Sequence, residues 1–387
     1  MRPWFTETFG VPSSLHHLGL RARDALASAR LQVAGLINAG SPDEIIFTSG
    51  GTEVANLAVK GMAYANKRRG NHIIVSAIEH PSVLGSVEFL QQQGFTSSRI
   101  AVDSEGRLNP EAIREAITDQ TILICVHHVN HDIGTIEPIR EIGVIASDKG
   151  IPLFVDAVAS GGWLPIDVQA MGVQLLSLSP HRFYGPKGVG ALYRNRRARV
   201  SSILHGGSQE GGYRAGTENV PAIVGAGVAA EIARSELNQR INHTASLQKK
   251  LWSALKSRID FLKLNGPEPG EGRITTNLNV SPEFVEAEGL ALALDLQGIA
   301  VTAGPSCVSK SLKVPPVLNA IGLPHSLAQS SVTLSLATEV SEQDIEYAAE
   351  TFARVVSRQR ELSPMWDEFR RGTIGSIIQA GGASRSG

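Results

Sequence analysis

Short β-branched runs recur from about residue 44 to residue 192, and between them the apolar positions fall at helical spacing. The runs are EIIF, HIIVSAI, SSRIAV, TILICVHHV, IPLFVDA, VQLLSLS and GVGALYR. Strands alternating with helices of about ten to twenty residues predict a mostly parallel sheet covered on both faces, because each crossover helix must lie over the sheet. A long helical stretch from about Pro221 to Leu255 follows, and a smaller α+β part begins near residue 260, with strands TTNLNV, GIAVTA and SVTLSLA and a helix from Glu342 to about Leu362.

The division expected is a large α/β domain over 16–256, a small α+β domain formed by 1–15 with 257–372, and a tail over 373–387 ending in AGGASRSG. A chain of 387 residues with 42% hydrophobic content exceeds what one core usually serves, so two lobes are expected. Basic and acidic residues number 36 and 37, giving a net charge of −1, so the balance favours neither nucleic acid nor an anionic membrane as partner. Small molecules and other proteins are the expected partners. With Cys125 and Cys307 as the only cysteines, no disulfide framework is expected and a reducing cytoplasm is the natural setting. The opening MRPWFTETFG has no charged and then apolar leader, and no run approaches about eighteen apolar residues, which again predicts a soluble cytoplasmic protein.

Ligands of open α/β sheets bind beyond the carboxyl ends of the strands. Those ends carry Ser49, Gly50, Gly51 and Thr52, then Glu79 and His80, Asn130 and His131, Asp156, and Ser179 to Arg182. TSGGTE at 48–53 opens a helix, so the amides of Gly50, Gly51 and Thr52 and the Thr52 hydroxyl could face a phosphate against the helix dipole; the same residues also make ordinary turns and caps. Asp156 suits a pyridinium N–H or a buried hydrogen-bonded role, and His80 suits stacking on an aromatic ring or capping a helix. HHVNHD at 127–132 has metal-ligand residue types, but alternate strand residues face opposite sides, so no metal site is expected there. Cys125 lies in an apolar strand and reads as inert packing, whereas Cys307, in the loop TAGPSCVSKS, reads as the chemical thiol.

Taken in order, GVPSSLH, FTSGGTEVANLAVKG, AIEHPSVL, HVNHDIGTIEPI, FVDAVAS, SPHRFYGPKGVGALY, GGSQEGGYRAGTENVPAIVGAG, GPSCVS and LSPMWDEF resemble the cysteine desulfurases of the NifS/IscS type, class V aminotransferases of pyridoxal-phosphate fold type I. The likeness spans about residue 9 to about residue 372. It implies a seven-stranded, mostly parallel sheet in the large domain. It further implies a phosphate cup of Gly51, Thr52, Ser179 and His181, with Thr217 reaching in from a partner subunit. His80 would stack on the cofactor ring, Asp156 would pair with its nitrogen, and Cys307 would carry sulfur as a persulfide.

Departures from the family are as specific as the matches. Arg182 stands where the family has its Schiff-base lysine, and Lys187 matches a separate lysine of the GPKG loop. A guanidinium stays protonated and has no lone pair to attack an aldehyde. His131 replaces an asparagine near the phenolic oxygen, Ala159 a glutamine that helps it, and Thr333 the arginine that clamps the substrate carboxylate. The expectation is therefore a homodimeric pseudoenzyme with pyridoxal phosphate non-covalent or absent. It would take sulfur from a small-molecule donor or amino acid and pass it through Cys307 to a protein acceptor or iron-sulfur scaffold, Cys307 being also a candidate cluster ligand. Two alternatives remain: an active enzyme with His131 or His181 as base, and a non-catalytic regulatory subunit of a true desulfurase.

Overall fold

The computed structural model describes residues 1–304 and 314–379. The chain folds into two compact units, one of Met1–Ala101, Leu108–Val129 and Glu137–Leu237, the other of Val102–Arg107, Asn130–Ile136 and the chain from Asn238 on. Residues 1–15, expected with the small domain, fall in the first unit. There a Cβ on Gly19 would stand 2.3 Å from the Ser14 carbonyl oxygen, so the N-terminal segment is seated on the helix His17–Leu36.

The first unit is built on the strands β1 (Ile45–Thr48), β2 (His72–Ser76), β3 (Thr96–Ile100), β4 (Thr121–His127), β5 (Leu153–Asp156), β6 (Leu175–Leu178) and β7 (Gly190–Arg194). They form one seven-stranded sheet in the order β1-β7-β6-β5-β4-β2-β3. Only β7 runs against its neighbours β1 and β6; β6, β5, β4, β2 and β3 are parallel in sequence. The α/β expectation is met, and β1, β2, β5 and β6 are buried throughout, as strands covered on both faces must be. β3 lies at the edge and carries exposed and half-buried side chains, its Arg99 pairing with Glu88 at 2.7 Å.

One face of this sheet presents Val75, Cys125, Phe154, Leu175 and Leu192 to a core shared with Val54, Ala58 and Met62 of the helix Gly51–Asn66 and Val83, Val87 and Leu90 of the helix Pro81–Gln91. Cys125 is fully buried there, and desolvation, then the charge of Glu79, holds its thiol well above the ordinary range. It is packing, as the apolar strand around it predicts. Because the strands share one direction, β1, β2, β4, β5 and β6 all end at the same edge, and β7 starts there, with Gly190 opposite Thr48.

The second unit holds an antiparallel sheet in the order β10-β11-β9-β8, from β8 (Leu262–Leu264), β9 (Asn277–Pro282), β10 (Thr302–Ala303) and β11 (Val332–Ser335). β8 has no counterpart among the expected strands, since three residues, none of them fully buried, leave little periodicity to read. Leu278, Val280, Val332 and Leu334 pack on Leu251 and Leu255, on Leu290 and Leu294, and on Ile345, Phe352 and Val356 of the helix Glu342–Glu361. Phe261, Phe284, Trp366 and Phe369 form a second aromatic cluster, with ring centroids 5.0–6.1 Å apart.

Gly190 is held without a side chain by its neighbour: a Cβ there would lie 2.6 Å from the Gly50 carbonyl carbon. Gly190→Ala must shift the β1 exit or the β7 start, and a loss of about 1–3 kcal/mol of unfolding free energy is expected by urea denaturation. An unchanged transition midpoint would contradict this register.

Candidate active site

The helix Gly51–Asn66 begins directly after β1, and its N-cap, Gly50, supplies no side-chain acceptor. Its first amides therefore present the positive end of the helix dipole with no side-chain bond from the N-cap. Nearby Glu53 turns away: its carboxylate accepts from the Ser49 N–H at 2.8 Å and pairs with Arg214 Nε at 3.0 Å. Desolvation pushes Glu53 up, but these donors outweigh it and leave the carboxyl below its ordinary value. A Cβ on Gly51 would lie 3.2 Å from Val158 and 3.6 Å from Ser179 Cβ, so the exits of β1, β5 and β6 meet at this helix start.

Ser179 Oγ is 2.9 Å from His181 Nδ1. The exposed imidazole is held below its usual value by desolvation, then by the charges of Arg182 and Lys187. Gly51, Thr52, Ser179 and His181 thus stand together at one strand edge, with two cations beside them. That combination attracts an anion.

Arg182 sits on the single turn Pro180–Phe183. Its backbone is held firmly: Trp163 Nε1 donates to the Arg182 carbonyl at 2.8 Å, Phe183 is buried, and Tyr184 closes the turn at φ 69°. A Cβ on Gly185 would lie 2.6 Å from Pro180 Cβ, which explains a glycine after that turn. The side chain is exposed, and partial desolvation lowers the guanidinium from its ordinary value without offering a neutral amine.

Asp156 ends β5, and its Oδ1 accepts from Ser177 Oγ at 2.6 Å and from the Val158 N–H at 3.0 Å. His80 caps the helix Pro81–Gln91: Nδ1 accepts from the Ser82 N–H at 3.1 Å and lies 2.7 Å from Ser82 Oγ. Capping and ring stacking are compatible, because the cap uses one edge of the imidazole and leaves its faces out of the bond.

Beside these residues lies a charged cluster that the sequence did not single out. His127 Nδ1 is 2.6 Å from Glu79 Oε1, its Nε2 is 3.3 Å from Glu137 Oε1, and the three side chains are almost fully buried. Burial opposes charge on His127, yet Glu79 and Glu137 outweigh it and push the imidazole up to about 10. Burial also dominates at Glu79 and holds its carboxyl above the ordinary value, although the His127 charge and the two N–H donors on Glu79 Oε1, the His127 amide and ring, pull it down. His128 behaves oppositely. Desolvation, then the charge on His127, lowers it to about 4, and its Nδ1 lies 3.0 Å from Ser160 Oγ. The only signal in the sequence was Glu79 at a strand exit and two adjacent histidines in HHVNHD.

Other expected site residues are not gathered into this cluster by the described contacts. Thr217 is exposed, and Ala159 is half-buried. His131 and Thr333 belong to the second unit, where His131 Nε2 is 3.5 Å from Asp132 Oδ2 and Thr333 Oγ1 accepts from Asn279 Nδ2 at 2.8 Å. Cys307 lies outside the described residues. Among the described residues no helix is long and apolar enough to cross a membrane.

Residues 1–348 match the family aminotransferase class-V. Cysteine desulfurase IscS of Clostridium botulinum is 44% identical over 371 residues, covering 96% of this chain and 93% of that protein. Cysteine desulfurase IscS 1 of Archaeoglobus fulgidus is 42% identical over 366 residues, covering 95% and 94%. Among solved structures, a NifS-like protein superposes with a TM-score of 0.86 at 32% identity, covering 92% of this chain and 94% of that one. By sequence and by fold, this chain belongs to the class-V aminotransferases, among the cysteine desulfurases of the IscS/NifS type.

Proposed function

We propose that this protein handles sulfur through Cys307, with the usual pyridoxal-phosphate route of L-cysteine desulfuration impaired or lost. What supports the reading is Arg182, a cationic side chain on a firmly held turn beside Ser179 and His181, where the motif resemblance would put the family's Schiff-base lysine. A positioned base contributes about 10²- to 10⁴-fold in rate, and this lysine also anchors the cofactor.

The residues present fit pyridoxal phosphate held without a covalent link. The uncapped helix start at Gly51 and Thr52, with Ser179 and His181, suits its phosphate; Asp156 Oδ1, oriented by Ser177, marks a fixed carboxylate for its ring nitrogen; His80 would cover the ring. Bound there, the cofactor would supply an electron sink. Arg182 would pair with the phosphate or the phenolic oxygen. Thr217, exposed on its loop, would complete the cup of a second copy in a homodimer, an association that the exposed apolar side chains Phe5, Phe9 and Leu15 support. The sulfur acceptor would be a protein or an iron-sulfur scaffold, in the cytoplasm.

A second reading is supported by His181. Its imidazole is pulled below the usual value, so it is neutral at physiological pH and can accept a proton, as a base in an enzyme that uses free cofactor must. Alanine released from L-cysteine on adding pyridoxal phosphate, with its sulfur recovered as sulfide when a thiol reductant is also added, would favour it over the carrier reading.

Borohydride treatment of the protein with pyridoxal phosphate, followed by denaturation, should leave no cofactor attached to the wild type and should leave it attached at residue 182 in Arg182→Lys. Cofactor fixed to a lysine of the wild type overturns the reading. For sulfur carriage, incubation with a persulfide donor should add the mass of one sulfur to the Cys307 peptide by mass spectrometry, with Cys307→Ser unchanged; a Cys307 that stays unmodified argues against it.

A further inference from the structure

We propose that His127 is a positioning residue: held as an imidazolium between Glu79 and Glu137, it fixes the turn that presents His80 and places a cation in the strand-end row that carries Asp156. No role described above uses this cluster.

The geometry favours the charge. Both ring nitrogens of His127 face carboxylate oxygens, Nδ1 at 2.6 Å from Glu79 and Nε2 at 3.3 Å from Glu137, and the side chains of both glutamates are closed to solvent. With both glutamates ionised, a neutral ring would turn a lone pair toward one of these buried oxygens. Removing one partner of such a set leaves a buried unpaired charge, which is strongly destabilising, whereas an apolar replacement of the whole set is often neutral or better. Stability alone therefore does not account for the cluster.

Its connections point at the site. Glu79 Oε1 takes both the backbone N–H of His127, at 2.7 Å, and the ring N–H, so the turn after β2 is tied to the end of β4 one residue before His80. From the other side, Glu137 Oε2 accepts from the Leu108 N–H at 2.8 Å, and the Glu137 N–H donates to the His128 carbonyl at 2.9 Å. The sheet adds a second link. Cys125, Phe154 and Leu175 are register neighbours in the core, and two residues on, the same face carries His127, Asp156 and Ser177, again register neighbours. Asp156 thus has Ser177 on one flanking strand and His127 on the other. The titratable groups around His127 are Glu79 after β2, Glu137 before the helix Ile139–Asp148, Asp156 on β5, and Cys125 and the neutral His128 on its own strand.

The role toward His80 and Asp156 rests on the proposed cofactor site; the charge on the cluster does not. Two measurements on the full-length protein separate them. The first is stability against pH. The ordinary histidine value is 6.5 and that of His127 is about 10, so its contribution is complete below the lower value and is lost as pH rises through the higher one. The wild type should lose more stability across that window than Glu79→Gln/His127→Gln, which restores a neutral hydrogen-bonded pair. Equal slopes overturn the imidazolium.

The second is titration with pyridoxal phosphate, followed by absorbance. His127→Gln and the double variant should both bind it about tenfold more weakly, the scale of one charged hydrogen bond, even where the double variant recovers thermal stability. Full recovery of affinity in the double variant would reduce the cluster to a structural role. A wild type that binds no pyridoxal phosphate overturns the cofactor reading and the positioning role together, and leaves the pH slope to judge the charge.

Discussion

The shared direction of β6, β5, β4, β2 and β3, with β1 aligned through the reversed β7, is the constraint from which the candidate site follows. Parallel neighbours must send their chain exits to one edge, and a sheet covered on both faces leaves that edge as the place for polar residues. Gly51, His80, His127, Asp156 and Ser179 are far apart in sequence, and strand direction alone puts them at one end of one sheet. The reversed β7 serves the same edge from the other side, its Gly190 leaving room for the Gly50 backbone.

Charge at that edge is sorted by strand. The loop after β6 carries His181, Arg182 and Lys187, close to a helix start with no side-chain cap, so positive potential collects where the exits of β1 and β6 meet. The exits of β2, β4 and β5 carry Glu79, His127 and Asp156, a mixed set tied by buried hydrogen bonds at Glu79 Oε1 and Asp156 Oδ1. A ligand with an anionic end and a basic aromatic ring matches that division. Arg182 adds charge to the first set.

Much of this was legible in advance. The seven strands were readable because apolar β-branched runs bounded by glycine and polar residues leave few alternatives, and the order of their exits followed from the βαβ alternation. Asp156, Ser179, His181 and the TSGGTE turn could be named because each closes such a run. The Glu79–His127–Glu137 cluster could not be weighted this way: Glu137 lies ten residues past His127, beyond a segment whose course the sequence does not reveal. HHVNHD drew attention as a metal motif, and the strand period argued against convergence, but the same period gave no hint that one of the histidines would find two carboxylates.

The sequence by itself determined the α/β architecture, the family, and the presence of arginine at residue 182, because each is a matter of residue type and periodic order. Only the tertiary structure decided which ionisable groups share a proton. His127 and His128 are adjacent and chemically identical, yet one is pushed up to about 10 and the other down to about 4. The reason is what each ring meets: His127 has two buried carboxylates within 3.3 Å, whereas His128 is buried against Ser160 and beside the charge of His127.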